Sequence, residues 1–296
     1  MGRSQREARW FYLLSTPWAI GFLVFGGGPI VASAVISLTN WPLLSSPHWV
    51  GLANYRQLLH DSTFWTALWN TLYFGAGSVA LTLVCTFGLA LLLNLNVRGL
   101  WFFRLVFYLP TVTSGIATAL LWQLILNPDY GLLDRVLSLA GIPGPGWLAS
   151  QDWAIPGLII MSVWGAGNTT IIYLAGLQGV PRTLHDAAAV DGAGWRARFC
   201  HVTLPMMSPV IFFNTVTGFI GSLQAYALIL IMTNGGPGNA TMVLGLYVYR
   251  EAFQYFNLGY ASALAWVLLM LIVVITAVQF LIGRRVVHTE AARGGA

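Results

Sequence analysis

The chain has 296 residues; it is 57% hydrophobic and 8% charged, with a mean hydropathy of +0.73. Soluble domains carry about 25% charged residues, so the composition excludes one. The formal charge of +5 rests on fourteen arginines and no lysine, which excludes a P-loop ATPase, because a Walker A loop needs a lysine on the nucleotide phosphates.

A helix needs about 20 apolar residues to cross a bilayer, and in lipid its backbone groups have to bond one another. Six stretches qualify: residues 11–38, 66–93, 105–126, 153–177, 210–232 and 261–282. Arg3, Arg6 and Arg9 precede the first, as in a signal peptide. No small-residue cleavage site follows, so it reads as an uncleaved span. With the N-terminus inside, Arg3, Arg6, Arg9, Arg98, Arg104, Arg182, Arg196, Arg198, Arg284, Arg285 and Arg293 fall in the cytoplasm. Arg56, Arg135 and Arg250 fall outside. Basic residues collect on the cytoplasmic side, which fixes this orientation and makes the positive charge a matter of topology rather than of nucleic-acid binding. The expectation is an all-α integral membrane protein with six transmembrane helices: cytoplasmic residues 1–10, a membrane domain over 11–283 and a cytoplasmic tail over 284–296.

Between the spans, the outer segments 39–65, 127–152 and 233–260 are too short to fold alone. Trp41, Trp49, Trp147 and Trp153 in them fit an interfacial aromatic belt. The inside connector 94–104 carries Arg98 and Arg104, read as topology signals that touch lipid phosphates. Pro110 inside the third span predicts a kink, with Thr111, Thr113 and Ser114 placed to satisfy the groups it frees. Gly75 and Gly77, Gly165 and Gly167, and Gly218 and Gly221 are spaced for close helix approach. Cys85 lies in a span and Cys200 in a loop, so no disulfide is expected, and each reads as a small buried apolar side chain. His48, His60, His185, His201 and His288 show no zinc spacing.

No span carries an Asp, Glu, Lys or Arg in its interior. Proton-coupled carriers and voltage sensors need such groups. The spans hold neutral polar residues instead: Asn70, Gln123, Asn168, Thr169, Thr170, Asn214, Ser222, Gln224 and Tyr226, with Trp122, Trp164 and Phe219 as aromatic surface. Amides, hydroxyls and aromatic faces suit a sugar or similar neutral polyol. The same residues also serve as interhelical glue. The pathway candidates are Gln123, Asn168, Ser222, Gln224 and Tyr226; Ser222 and Tyr226, four apart, share a helix face from which Gln224 points away.

Residues 180–209 (VPRTLHDAAAVDGAGWRARFCHVTLPMMSP) form the most strongly charged segment between two apolar ones. Pro181 suits a helix start. Thr183 and Asp186 have capping-box spacing, and Asp186 in the first turn suits the helix dipole. Ala187, Ala188 and Ala189 favour helix, and Gly192 reads as a left-handed stop. A second short helix is expected over 195–201, ended by Pro205 and Pro209.

The run Asp186-Ala187-Ala188-Ala189-Val190-Asp191-Gly192-Ala193, with Leu204-Pro205 behind it, resembles the EAA motif of permease subunits of binding-protein-dependent ABC importers. Asp186 stands where that family has Glu, keeping the charge one methylene shorter. Val50-Gly51-Leu52-Ala53-Asn54-Tyr55 and Asn234-Gly235-Gly236-Pro237-Gly238 resemble the carbohydrate-uptake branch. The resemblance implies a type I ABC importer permease fold with a cytoplasmic coupling helix. It implies that Arg182, His185, Asp186, Ala187, Ala188, Asp191, Gly192 and Ala193 couple to an ATPase dimer. It further implies a second homologous permease, an extracytoplasmic solute-binding protein and a bacterial-type inner (plasma) membrane location. The chain itself would bind no metal or cofactor and catalyse nothing; ATP and Mg would be used by the partner ATPase subunits. The alternative is an ion-gradient-driven secondary transporter of a neutral solute.

Overall fold

The computed structural model describes residues 3–95 and 99–286. Arg98, His288, Arg293 and the tail from residue 287 lie outside the described residues, as do the side chains of Arg3, Arg6 and Arg285. The chain divides into two compact units: residues up to 61 with 247–267, and residues 62–246 with 268 onward.

In the first unit, α1 (Arg3–Phe22) passes through a π-turn at Leu23–Gly27 into α2 (Gly28–Ile36). From Trp10 onward this run is mostly apolar and exposes Trp10, Phe11, Trp18, Phe22 and Phe25. A continuous apolar surface of that size does not face water. Two short antiparallel strands follow, β1 (Thr39–Asn40) and β2 (His48–Trp49), with Thr39 opposite Trp49. α3 (Ala53–His60) comes next. Buried Asn54 donates from Nδ2 to the carbonyls of Ser37 (2.8 Å) and Thr39 (2.9 Å), and the Tyr55 hydroxyl donates to Ser37 Oγ (2.9 Å). Each such bond contributes about 1 kcal/mol, so this stretch is a clamp on the end of α2.

The second unit is built on α4 (Ser62–Leu93), 32 residues long. After it come α5 (Leu100–Tyr108), a 3₁₀ turn at Leu109–Val112 and α6 (Gly115–Ile125). The helix direction turns by 105° between these last pieces. The expected kink is therefore present. Thr111 Oγ1 donates to the Tyr108 carbonyl (2.7 Å) and Thr113 Oγ1 to the Pro110 carbonyl (2.6 Å). Ser114 instead caps α6, accepting from the Ala117 N–H at 3.3 Å. α7 (Leu132–Leu139) leads to α8 (Ala154–Ser162) and α9 (Gly167–Gln178), which are bent by 49°. The polar linker holds α10 (Arg182–Val190). α11 (Trp195–Arg198), a π-turn at Phe199–Thr203 and α12 (Leu204–Leu223) then run on as one span-length helix. α13 (Ala227–Met232), α14 (Leu244–Tyr249) and α15 (Leu258–Val286) complete the chain. α4 packs against α8, α9 and α12, and α6 against α13.

Within the first unit, residues 41–43 are held by residues 256–258. The Leu43 N–H donates to the Phe256 carbonyl and the Leu258 N–H to the Trp41 carbonyl, both at 3.0 Å. Tyr247 and Tyr260 both donate to Asp61 Oδ2 at 2.6 Å.

Among the described residues, four helices are long and apolar enough to cross a membrane, or up to six if each bent pair counts as one span. The structure corrects four expectations. The fifth apolar stretch starts earlier, because Pro205 and Pro209 do not end the helix. Trp147 is not a belt residue: it is buried, donates from Nε1 to Asp134 Oδ1 (2.6 Å) and stacks edge-on with Trp153. Both cysteines are exposed rather than buried. The paired glycines also differ. A methyl group on Gly77 would meet Ile159 Cδ1 at 2.5 Å and one on Gly167 would meet Thr111 Cγ2 at 2.6 Å, whereas Gly165 and Gly221 face open space.

Candidate functional site

Two features of the second unit stand out: the polar linker and a cavity among α4, α8, α9 and α12. The linker helix α10 starts after Pro181, whose side chain supplies no cap. Thr183 is thus the second helical residue, not the cap, and Asp186 is the fifth, beyond the first turn. Both expectations about that start are corrected; the extended Pro181 (ψ 127°) fixes the entry two residues earlier than the capping box placed it. The helix end is as expected. Gly192 has φ +79°. The Ala193 N–H donates to the Ala188 carbonyl (2.9 Å) and the Gly192 N–H to the Ala189 carbonyl (3.1 Å). This pair of bonds is the Schellman arrangement, which needs a left-handed residue and so favours glycine.

The linker presents charge beside small residues. Arg182, Asp186, Asp191 and Ala187 are exposed, and His185 and Ala188 are half-buried. Arg196 lies over the ring of exposed Trp195, 5.3 Å from its centre. Its inner ends are anchored: Val180 and Phe199 pack on a buried cluster of Phe87, Ala90, Leu93, Tyr173, Leu174, Leu177 and Met207.

The same Tyr173 reaches a cavity of about 350 Å³. Its polar lining comes from Ser78 and Thr82 of α4, Ser162 of α8, Thr169 and Tyr173 of α9, and Asn214, Thr215, Thr217 and Ser222 of α12. Phe74 and Val79 supply apolar wall, and no charged residue lines it. Most of these hydroxyls donate along their own helices; Ser78 bonds the Gly75 carbonyl and Ser222 the Phe219 carbonyl. The Tyr173 hydroxyl differs: its residue is fully buried, and the oxygen has no hydrogen-bond partner. An unpaired buried hydroxyl costs about 1–3 kcal/mol. A ligand hydroxyl entering the cavity would relieve that cost.

Of the five pathway candidates, Ser222 lies on this wall and the other four do not. Gln123 Nε2 donates to the carbonyls of Ile231 (2.8 Å) and Met232 (3.0 Å), so it holds α13 to α6. Asn70 is similarly committed to the carbonyls of Asn239 and Met242. Asn168 and Gln224 are exposed. Tyr226 is not on the Ser222 face, because α12 ends at Leu223 and Tyr226 has non-helical angles of φ −142° and ψ −39°. The argument from four-residue spacing fails there. Sequence reasoning missed Tyr173, Ser78, Thr82 and Thr217. The signal was present: Asn214, Gly218 and Ser222 recur at four-residue spacing, as do Ser78 with Thr82 and Thr169 with Tyr173. Among the described residues, no group of His, Cys, Asp and Glu is arranged to hold a metal.

Comparison with known proteins decides the family. Residues 85–288 match the family described as the binding-protein-dependent transport system inner membrane component. The chain belongs to this family. A probable ABC transporter permease of Bacillus subtilis, YesP, is 36% identical, with 95% of this chain and 92% of that protein covered. The trehalose/maltose transport system permease MalF of Thermococcus litoralis is 33% identical over 94% of this chain and 95% of its own length. The lactose transport system permease LacF of Rhizobium radiobacter is 35% identical, covering 86% and 88%. A chain of a bacterial ABC transporter that imports the acidic polysaccharide alginate has the same fold, with a TM-score of 0.82, 24% identity and coverage of 97% and 100%. The protein is thus an ABC importer permease with carbohydrate-type relatives. Family members are multi-pass inner-membrane transport subunits rather than enzymes, and in this class of system ATP is used by a partner subunit.

Proposed function

We propose that this permease forms half of the translocation pathway for a neutral sugar or polyol and couples it to a separate ATPase through residues 182–201. The observation that carries the solute reading is the cavity lined by hydroxyls, an amide and aromatic carbon, with Tyr173 Oη unpaired and no charge on its wall. Hydroxyl groups of a sugar both donate and accept, so they can meet Tyr173, Ser222 and Asn214 together. Relatives whose names specify trehalose, maltose or lactose support the class. The second half of the pathway is a homologous permease, and a binding protein presents the solute from outside. The termini and the 182–201 linker face the cytoplasm, and the chain spans the membrane six times.

The coupling reading rests on shape. α10 presents Asp186 and Ala187 beside the Gly192 turn, while Val180 and Phe199 anchor the linker on the cluster that contains Tyr173. A push on the linker is thereby delivered to the cavity wall. Alternating access then follows as rocking of packed helices about a central site. The test is co-purification of the tagged chain from its native membrane. The wild-type chain is expected to bring an ATPase subunit with it; Asp186→Arg is expected to lose at least about 90% of that subunit, since one like-charge contact costs more than the ~1.4 kcal/mol of a tenfold change. Equal recovery from both chains would remove the linker from the docking surface.

A further inference from the structure

Two cavities of the second unit meet at one arginine. The first, about 480 Å³, is walled by Trp101, Leu105, Phe107 and Tyr108 of α5 and by Leu174 of α9. The second, about 460 Å³, is polar and includes Asn94, Gln178, Arg182 and His185. Arg104 and Leu93 line both. Among the described residues, no carboxylate lines either one.

Arg104 is an odd residue on α5. The helix reads LWFFRLVFY and exposes Trp101, Phe102, Phe103, Leu105, Val106, Phe107 and Tyr108. A guanidinium on so apolar a helix has to reach a polar layer, as snorkelling side chains do. Here it opens towards Arg182 and His185, at the ends of α4 and α9 where two apolar runs stop. The result is an apolar trough that leads into a cationic mouth. We propose that it binds one anionic phospholipid, with the phosphate held by Arg104 and Arg182 and an acyl chain laid along Trp101, Tyr108 and Leu174. Guanidinium groups pair with phosphate through two parallel bonds, and basic recesses between membrane helices hold anionic headgroups. A zwitterionic lipid offers the same chain but no net charge to two arginines. The proposal rests on the membrane placement of the chain; Arg182 belongs also to the linker proposed to dock the ATPase, whereas Arg104 does not, so the test is made at Arg104.

The test is native mass spectrometry of the purified assembled complex, titrated with phosphatidylglycerol and separately with phosphatidylcholine. The wild type is expected to retain one more phosphatidylglycerol than Arg104→Gln, which binds it about tenfold more weakly. Arg104→Lys keeps the charge without the planar fork and is expected to fall between, which guards against a folding defect in the glutamine variant. Equal retention by wild type and Arg104→Gln would overturn the proposal, as would equal retention of phosphatidylcholine. Displacement by glycerol phosphate as effective as by the whole lipid would overturn it too, because the apolar trough would then contribute nothing. Arg104→Gln is expected to keep its ATPase subunit, so loss of the lipid without loss of that subunit separates the lipid site from the coupling linker.

Discussion

At the scale of single residues, buried polar groups divide into those already matched and those left to titrate or to bind. Asn54, Asn70 and Gln123 spend their amide nitrogens on backbone carbonyls and are structural. Glu251, in the turn before α15, is different. Burial is the main force that pushes its carboxyl above the ordinary glutamate value, and the nearby Asp61 adds to it, against hydrogen bonds from Asn257 and Tyr247. The folded chain therefore holds that proton more tightly than the unfolded chain does. That contribution to stability is fully present below the ordinary glutamate range and is lost as pH rises through the raised value. Thermal unfolding of the detergent-solubilised chain is expected to shift down between mild acid and neutral pH. Glu251→Gln is expected to flatten the shift, because its amide stays neutral throughout. Parallel curves for the two proteins would show that another group sets the slope.

At the scale of elements, the two breaks at proline came out differently, and the difference is chemical. The bend at Pro110 was legible because Thr111 and Thr113 follow it, and both hydroxyls bond carbonyls at the break. The passage of α12 through Pro205 and Pro209 was not legible. Pro209 leaves the Pro205 carbonyl without its helical donor, and the Ser208 hydroxyl takes it at 2.7 Å. The preceding π-turn, closed by the Leu204 N–H on the Phe199 carbonyl, has already offset the ladder where the missing N–H of Pro205 falls. A proline with such local help stays inside a helix. The end of α10 was legible in full, since Asp-Gly-Ala after an alanine run specifies the left-handed stop. Gly192→Val puts a branched side chain at φ +79°, which costs about 1–2 kcal/mol and breaks the Schellman pair. Uptake of the solute is expected to fall about tenfold at unchanged expression, with Gly192→Ala milder. Retained uptake in the valine variant would separate the turn from coupling.

At the scale of the whole molecule, apolar runs and arginine placement made the membrane class legible, and the cavity was the part that stayed hidden. Its wall is assembled from polar residues on four helices far apart in sequence, and the four-residue spacings within each helix do not say which helices come together. Orientation can be read through the two cysteines, both free and exposed. Cys200 sits in the π-turn that joins the linker to α12, and Cys85 sits within the apolar α4. In maleimide labelling the cysteine sulfur attacks the maleimide double bond, and a membrane-impermeant reagent reaches only thiols at the water interface, so Cys200 is the reactive site and Cys85 is shielded by lipid. In the proposed orientation, with eleven arginines inside against three outside, the linker faces the cytoplasm. A membrane-impermeant maleimide is then expected to label inside-out vesicles, stripped of peripheral subunits, at least about tenfold more than right-side-out ones. Cys85→Ser should leave that signal intact and Cys200→Ser should abolish it. Labelling confined to right-side-out vesicles would invert the topology. It would move residues 182–201 away from any cytoplasmic ATPase and leave the Asp186→Arg variant without a reason to lose its partner.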